Sequence, residues 1–393
     1  MSKNNFLIVG AGLFGSIFAR EATNRNHKCL VIDNRDHIGG NCYSEKIANI
    51  EVSKYGPHTF HTNNKEVWDY VNRFTTFRQY SQITMVCYNG ELFTFPINLI
   101  TLNKLWGVTT PEQAIKTLEE KRVKIDNPAN LEEWALSKVG TEIYEKFIKG
   151  YTTKQWNTDP KNLPTSIIRR IPIRLTYDNL YFSDKFQGWP ENGYTEMFDK
   201  MLDGIEVRLG VDYFNNKKEL DDSADKVVFT GKIDQFYDYR FGRLEYRSLR
   251  HESKILDGDY QGCSTINYTN EDIPYTRVIE HKHFQPHKSN DKTVITFEYP
   301  DNYNDNKIPF YPINNNINND LFVKYNELAS QEKNVIFGGR LAQYKYYDMD
   351  QVVASALHKI KVLETEGLFN GSNRSTKPIK SAFITNVPYF AVW

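Results

Sequence analysis

The sequence predicts an α/β chain, in which a Rossmann-like domain carries a small helical insertion domain and an antiparallel β-sheet domain. Three observations predict it. The chain opens in the order strand, glycine turn, helix, strand; a helical pattern with charge on its exposed faces runs from about 98 to 150; and short strand-like runs bounded by turn residues recur between 205 and 299. With 393 residues the chain is too long for one ordinary core, since domains hold about 100–200 residues, so two to three domains are expected.

In the opening unit, residues 6–9 and 29–32 are the strands, and GAGLFG (10–15) leads into a helix over 16–25. Gly10, Gly12 and Gly15 permit a tight turn, close backbone approach to a pyrophosphate, and close packing of helix on strand. The helix N-terminus then faces phosphates with roughly half a positive charge. Asp33 ends the second strand where an acid takes ribose hydroxyls, which favours FAD or NAD over NADP. Arg35 follows with Gly39 and Gly40, similar to the R-x-x-x-G-G pattern of flavoproteins of the glutathione-reductase and amine-oxidase group, and this separates FAD from NAD. The segment 227–231, ending in Thr230 and Gly231, and the turn Gly338, Gly339, Arg340 resemble that group's middle and C-terminal signatures.

In the helical stretch, Pro111 and Pro128 mark helix starts. Residues 154–178 mix Pro160, Pro164 and Pro172 with paired arginines and form no single element; a mobile segment beside a site is expected there. The runs 205–209, 226–230, 262–268, 275–280 and 294–299 read as the antiparallel sheet. Residues 334–339 read as a last parallel strand meeting a glycine turn and 349–362 as the following helix, so the first domain is completed from distant segments. The expected division is a dinucleotide-binding domain of 1–78, 190–240 and 315–366, a helical domain of 98–186 with a mobile loop at about 161–173, a sheet domain of 79–97 and 241–314, and a C-terminal extension of 367–393 that opens with a linker.

Lys+Arg 49 balance Asp+Glu 49, so no long-range field draws the chain to nucleic acid or to an anionic membrane, and any anionic ligand is held by local charges. Cys29, Cys42, Cys87 and Cys263 form no Cys-x-x-Cys pair and read as reduced thiols of a cytoplasmic protein. The glycine-punctuated run after Phe6 is not read as a secretory signal, and no apolar stretch reaches the roughly 18 residues of a spanning helix. His58 and His61 have a spacing that suits metal ligands, yet no third ligand accompanies them and no metal is expected.

Further segments match almost end to end: IGGN (38–41), YGPHTFHT (55–62), IKGYTTKQW (148–156), RRIPIR (169–174), YFSDKFQG (181–188), IPYTR (273–277), EHKHF (280–284), PFYPIN (309–314) and GGRLAQYKYYDMDQ (338–351). On these the chain resembles the bacterial-type UDP-galactopyranose mutase family over about residues 5–361. The resemblance implies an FAD enzyme, active in its reduced form, that interconverts UDP-galactopyranose and UDP-galactofuranose with no net redox, through an adduct of flavin N5 at the sugar's anomeric carbon. It implies that Arg170 and Arg277 clamp the diphosphate. Phe147 and Tyr151 would border the uracil, Trp156 would lie near the sugar, and Tyr181, Tyr311 and Tyr346 would offer hydroxyls to the diphosphate. Core packing is the alternative for Phe147 and Trp156. His61 and Arg340 would tune the flavin, with a purely structural role the alternative for His58. Asp348 would meet cofactor and substrate, or simply cap a helix. Phe14, Asn34, Asn41 and Met349 complete the implied cofactor set.

Two departures from the family pattern touch the hexose: Gln82, where the family commonly has Asn, and Trp189, where a smaller aliphatic residue is usual. The same chemistry on dTDP-fucopyranose or UDP-N-acetylgalactopyranose therefore stays open, although His61 favours UDP-galactose. An amine-oxidase-like flavin oxidoreductase is the rival reaction class, and a flavin-binding protein without catalysis the rival outside enzymes. The expected partners are a UDP-sugar substrate, an external reductant such as NAD(P)H and a second copy of the chain in a homodimer.

Overall fold

A computed structural model of the protein describes residues 4–165, 173–288 and 290–369. The strands Asn4–Val9 and Cys29–Ile32 lie side by side in a five-stranded parallel sheet, ordered Glu206–Arg208, Cys29–Ile32, Asn4–Val9, Ala224–Phe229, Val335–Phe337. Phe6, Leu7 and Ile8 are buried in succession, as a parallel sheet covered on both faces requires. Phe6 and Ile8 pack against Ile17, Phe18 and Val353 from the helices Leu13–Thr23 and Met349–Thr365, and Leu7 against Tyr213 and Leu220 on the opposite face. The first helix starts at Leu13, three residues earlier than expected. Gly12, with extended backbone, is its N-cap, so the turn is shorter than its glycines suggest.

A seven-stranded sheet follows the order Tyr311–Pro312, Tyr246–Asp257, Lys292–Asn302, Arg277–Glu280, Thr265–Tyr268, Thr84–Tyr88, Glu91–Phe95. Two expectations are corrected here. The runs 205–209 and 226–230 do not join this sheet; Glu206–Arg208 and Ala224–Phe229 belong to the parallel one, and Val227, Val228 and Phe229 are buried consecutively as that position demands. Nor is the sheet wholly antiparallel, because Thr265–Tyr268 runs parallel to Thr84–Tyr88. The latter turns back through Asn89 and Gly90, both at positive φ, into Glu91–Phe95. The long strand Tyr246–Asp257 escapes pattern reading because Arg250, Glu252, Ser253 and Lys254 are polar and exposed; eleven residues in register with Lys292–Asn302 hold it. The helices Lys65–Val71, Gly193–Leu202 and Asn316–Gln331 were likewise not expected.

The helical layer comprises Leu99–Trp106, Pro111–Lys121 and Leu131–Ile143, continued by a π-helical stretch Tyr144–Lys149 into Gly150–Trp156. Asn98, Thr110 and Asn130 each accept first-turn N–H groups, and Pro111 occupies the first turn, where its missing donor costs nothing. Pro128 stands ahead of its helix instead of within it. Lys154 ties this layer to the large sheet, its Nζ donating to the carbonyls of Tyr268, Ile273 and Tyr275 at 2.7, 3.0 and 3.0 Å. Lys154→Ala strands three acceptors and is expected to lose about 3 kcal/mol of stability, read as a lower urea midpoint at unchanged slope. No described helix is long and apolar enough to cross a membrane. The expected mobile loop lies in part, and the C-terminal extension almost wholly, outside the described residues.

Candidate active site

A cavity of about 1510 Å³ joins the glycine turn of the parallel sheet to the inner face of the seven-stranded sheet. Pockets for one small ligand hold roughly 300–1,000 Å³, so this one has room for a cofactor and a substrate together. Every residue the sequence assigns to the cofactor lines it. At the parallel-sheet end, a Cβ on Gly15 would sit 2.0 Å from the Gly10 carbonyl oxygen. Gly40, at φ +56°, approaches the first turn so closely that a Cβ would stand 3.0 Å from Gly12 Cα. Asp33 locks the two loops together, its Oδ2 accepting the Ala11 N–H at 2.8 Å and its Oδ1 the Arg35 N–H at 2.9 Å. No side chain caps the helix Leu13–Thr23, which leaves its first-turn N–H groups to a ligand.

Among the described residues, two buried donors on this wall have no acceptor. Arg35 gives Nη2 to Asn41 Oδ1 at 2.8 Å, but its Nη1 is unpartnered; Arg340 Nε is unpartnered too, with the guanidinium 4.6 Å from the Tyr346 ring centroid. Buried donors are otherwise almost always satisfied, so the wall fits a dinucleotide cofactor that brings its own acceptors.

At the opposite wall, four neighbouring strands set a polar row in register: His251 opposite Glu298, Glu298 opposite Arg277, Arg277 opposite Asn267. Arg277 Nε donates to Glu298 Oε1 at 2.8 Å, and His251 Nε2 lies 3.3 Å from Glu298 Oε2. Burial, the largest single influence, would raise the Glu298 carboxyl, but the Arg277 guanidinium and His251 together outweigh it and hold the group at about 2. The pair is thus a fixed ion pair that offers one anchored cation to the cavity. Asn267 lines the cavity with its buried Oδ1 unpartnered.

Between the two walls, His61 on the strand Phe60–Thr62 places Nδ1 2.7 Å from Asp184 Oδ2 and stacks on Phe182 at 3.6 Å and 16°. Asp348 caps the helix Met349–Thr365, with the Gln351 side chain accepting its N–H at 2.9 Å. Asp350 accepts the Thr62 hydroxyl at 2.9 Å. Burial pushes both carboxyls above the usual carboxylate range; His61 opposes the shift at both, and Arg340 opposes it at Asp348. Burial, then Arg340 and Arg277, drive His58 down to about 4. Its ring is expected to stay neutral, its NMR signals flat, across about pH 5 to 8, where an ordinary histidine titrates.

Tyr181, Tyr311 and Tyr346 line the cavity. The Tyr311 and Tyr346 rings lie 5.2 Å apart beside Arg340, and burial raises all three phenols, which keeps them protonated donors. Gln82 is on the wall, but its amide is engaged: Nε2 with the Thr84 and Thr265 hydroxyls, Oε1 with Thr59, each at 3.2 Å. Phe147, Tyr151 and Trp156 are not on the wall. Phe147 stands edge-on to Phe93 at 5.2 Å in the helical core, Trp156 packs against that core, and Tyr151 is buried close to Arg277. Trp189 is corrected: it stacks on Phe284 at 4.2 Å in the main core, away from the cavity, so it does not shape a hexose contact. Arg170 lies outside the described residues. Sequence reading missed Glu298, Asp184 and Asn267. Glu298 had a signal, since Val294, Thr296 and Glu298 form one inward-facing row and a carboxylate there requires a partner.

The UDP-galactopyranose mutase family model matches residues 146–346, and an NAD(P)-binding Rossmann-like domain model matches residues 8–74. A Klebsiella pneumoniae protein named "Probable UDP-galactopyranose mutase" is 43% identical over 363 residues, covering 91% of this chain and 94% of that protein. The dTDP-fucopyranose mutase of Escherichia coli is 40% identical over 364 residues, covering 90% and 97%. Among solved structures, a reduced UDP-galactopyranose mutase superposes with a TM-score of 0.70 at 16% identity, over 94% of this chain and 97% of that one, a likeness of fold.

Proposed function

Since this chain belongs to the UDP-galactopyranose mutase family and is thereby an isomerase, we propose that it holds FAD in the cavity and, with the flavin reduced, interconverts UDP-galactopyranose and UDP-galactofuranose without net redox. One observation carries the reading: the glycine cradle with its unpartnered arginine donors and the anchored Arg277 face the same cavity. The family sets aside the amine-oxidase-like reaction. On this reading residues 1–78, 190–240 and 315–366 form the FAD-binding unit, 98–186 the substrate unit and 79–97 with 241–314 the sheet unit.

Gly10, Gly12, Gly15, Gly39 and Gly40 would admit the pyrophosphate, and Arg35 and Arg340 would donate to the cofactor's acceptors. A reduced flavin there supplies the nucleophile for covalent catalysis at the anomeric carbon. The rest falls to this chain's side chains. Ring contraction requires the bond to UDP to break while the sugar stays in place. Arg277, with Arg170, holds the diphosphate through charge-assisted contacts of about 1.5–3 kcal/mol each. The hydroxyls of Tyr181, Tyr311 and Tyr346 disperse the charge that UDP gains as it leaves. His61, and Asp348 whose carboxyl burial raises, line the cavity as groups able to exchange protons with the sugar oxygens.

The test incubates dithionite-reduced protein with UDP-galactose and, separately, dTDP-fucose, and resolves furanose products by chromatography. UDP-galactofuranose formed without reductant consumption is expected. Product from dTDP-fucose alone transfers the reading to that substrate, and steady consumption of reductant, or no furanose from either, overturns it.

A further inference from the structure

We propose that Asp184 is a positioning residue for His61: it takes the Nδ1 hydrogen and so presents Nε2 to the cavity as an acceptor, an inference that rests on the reading of this cavity as the reaction site. A neutral imidazole carries one N–H, and the hydrogen bond made by one ring nitrogen decides what the other offers. A carboxylate only accepts, so the 2.7 Å contact between His61 Nδ1 and Asp184 Oδ2 places the hydrogen on Nδ1. Among the described residues Nε2 makes no hydrogen bond, and His61 lines the cavity.

The geometry is that of a held dyad instead of a chance surface contact. Asp184 Oδ1 accepts from the Asn63 side chain, and Asn63 Oδ1 in turn accepts the Lys185 N–H at 2.9 Å. The Asp184 carbonyl accepts from Gln187 Nε2 at 2.8 Å, and Gln187 is the residue opposite His61 in the strand pair. Phe182 covers one face of the imidazole at 3.6 Å. Carboxylate, ring and strand register are therefore fixed by one short segment, 181–187, so neither ring flip nor tautomer exchange is free.

The test is 15N NMR of histidine-labelled protein, with His61 assigned from a His61→Asn variant. In the wild type, Nδ1 is expected to carry the hydrogen and Nε2 to show the shift of a bare ring nitrogen. In Asp184→Ala the hydrogen redistributes toward Nε2, whereas Asp184→Asn, whose amide oxygen still accepts, keeps the wild-type pattern. Turnover follows the same order: Asp184→Ala lowers kcat about 10- to 100-fold, the usual worth of a group that orients a ligand or acid–base residue, with KM little changed, and Asp184→Asn restores part of it. Identical His61 shifts in wild type and Asp184→Ala, or a ring protonated at both nitrogens, overturn the inference. The spectra need neither cofactor nor turnover, so a failure to form furanose counts against the proposed activity and not against the dyad.

Discussion

Arg277→Ala is expected to destabilise the protein by about 3–5 kcal/mol, because breaking a buried pair strands the remaining charge. The stranded group is Glu298, inward-facing and buried, to which Arg277 donates at 2.8 Å. The pH dependence gives this cause a distinctive sign. In the wild type the folded-state value of about 2 lies below the ordinary 4.5, so this group's contribution is complete above 4.5 and is lost as pH falls toward 2. His58 acts in the same direction at higher pH: its contribution is complete above 6.5 and is lost as pH falls to about 4. Without Arg277, only His251 opposes burial at Glu298 and the carboxyl is protonated more readily than in the wild type, so the deficit of the variant should shrink on acidification from neutral pH. Denaturant midpoints at a series of pH values check this, and a variant as stable as the wild type at neutral pH would contradict it. Adding Glu298→Gln should recover most of the stability while the loss in kcat/KM, about 10- to 150-fold for one charge-assisted contact, remains.

Gly15→Ala should yield protein purified without its yellow cofactor. The added carbon would lie 2.0 Å from the Gly10 carbonyl oxygen and 3.0 Å from Ile8 Cγ2. The first obstacle is backbone and cannot rotate away. Relief requires the helix Leu13–Thr23 to lift off the strand Asn4–Val9, which moves the first-turn N–H groups away from the position of the phosphates. Overpacking alone costs about 1–3 kcal/mol, and loss of a bound ligand removes about 4 kcal/mol more at a thousandfold excess over its Kd. Flavin absorption of the purified variant, with thermal unfolding beside wild-type apoprotein, measures the two parts separately. Full flavin occupancy would show that the close approach at Gly15 is not needed.

What was legible in the sequence follows from how local each determinant is. The turn over residues 10–15, the acid at Asp33 and the Gly39–Gly40 pair are short-range requirements of one βαβ unit, and the cavity wall contains the acid and every one of these glycines. The strand Tyr246–Asp257 was not legible, because its stability comes from a partner strand some 45 residues away in sequence and its outer half alternates nothing. The helix Asn316–Gln331 begins in poor helix formers; the Asn315 cap and the buried Tyr325, whose hydroxyl reaches the Gly242 carbonyl at 2.6 Å, hold it. In the site, Arg277 was recognisable from its motif, whereas Glu298 and Asp184 act through pairings between distant segments. Phe147 and Trp156, for which the sequence left core packing open beside a ligand role, show how packing adds what a motif cannot: Phe147 is buried in the helical core and Trp156 is half-buried against it.

The central strand of the parallel sheet, Asn4–Val9, leaves the ribosome long before Ala224–Phe229, the neighbour that covers its second edge. At about 5–20 residues per second the gap is on the order of tens of seconds. Throughout that interval the nascent N-terminal segment exposes an unpaired apolar edge, a natural client for a chaperone. The cavity wall also takes Gly339, Arg340 and Met349, so a dinucleotide site of the proposed kind is complete only after those residues have emerged.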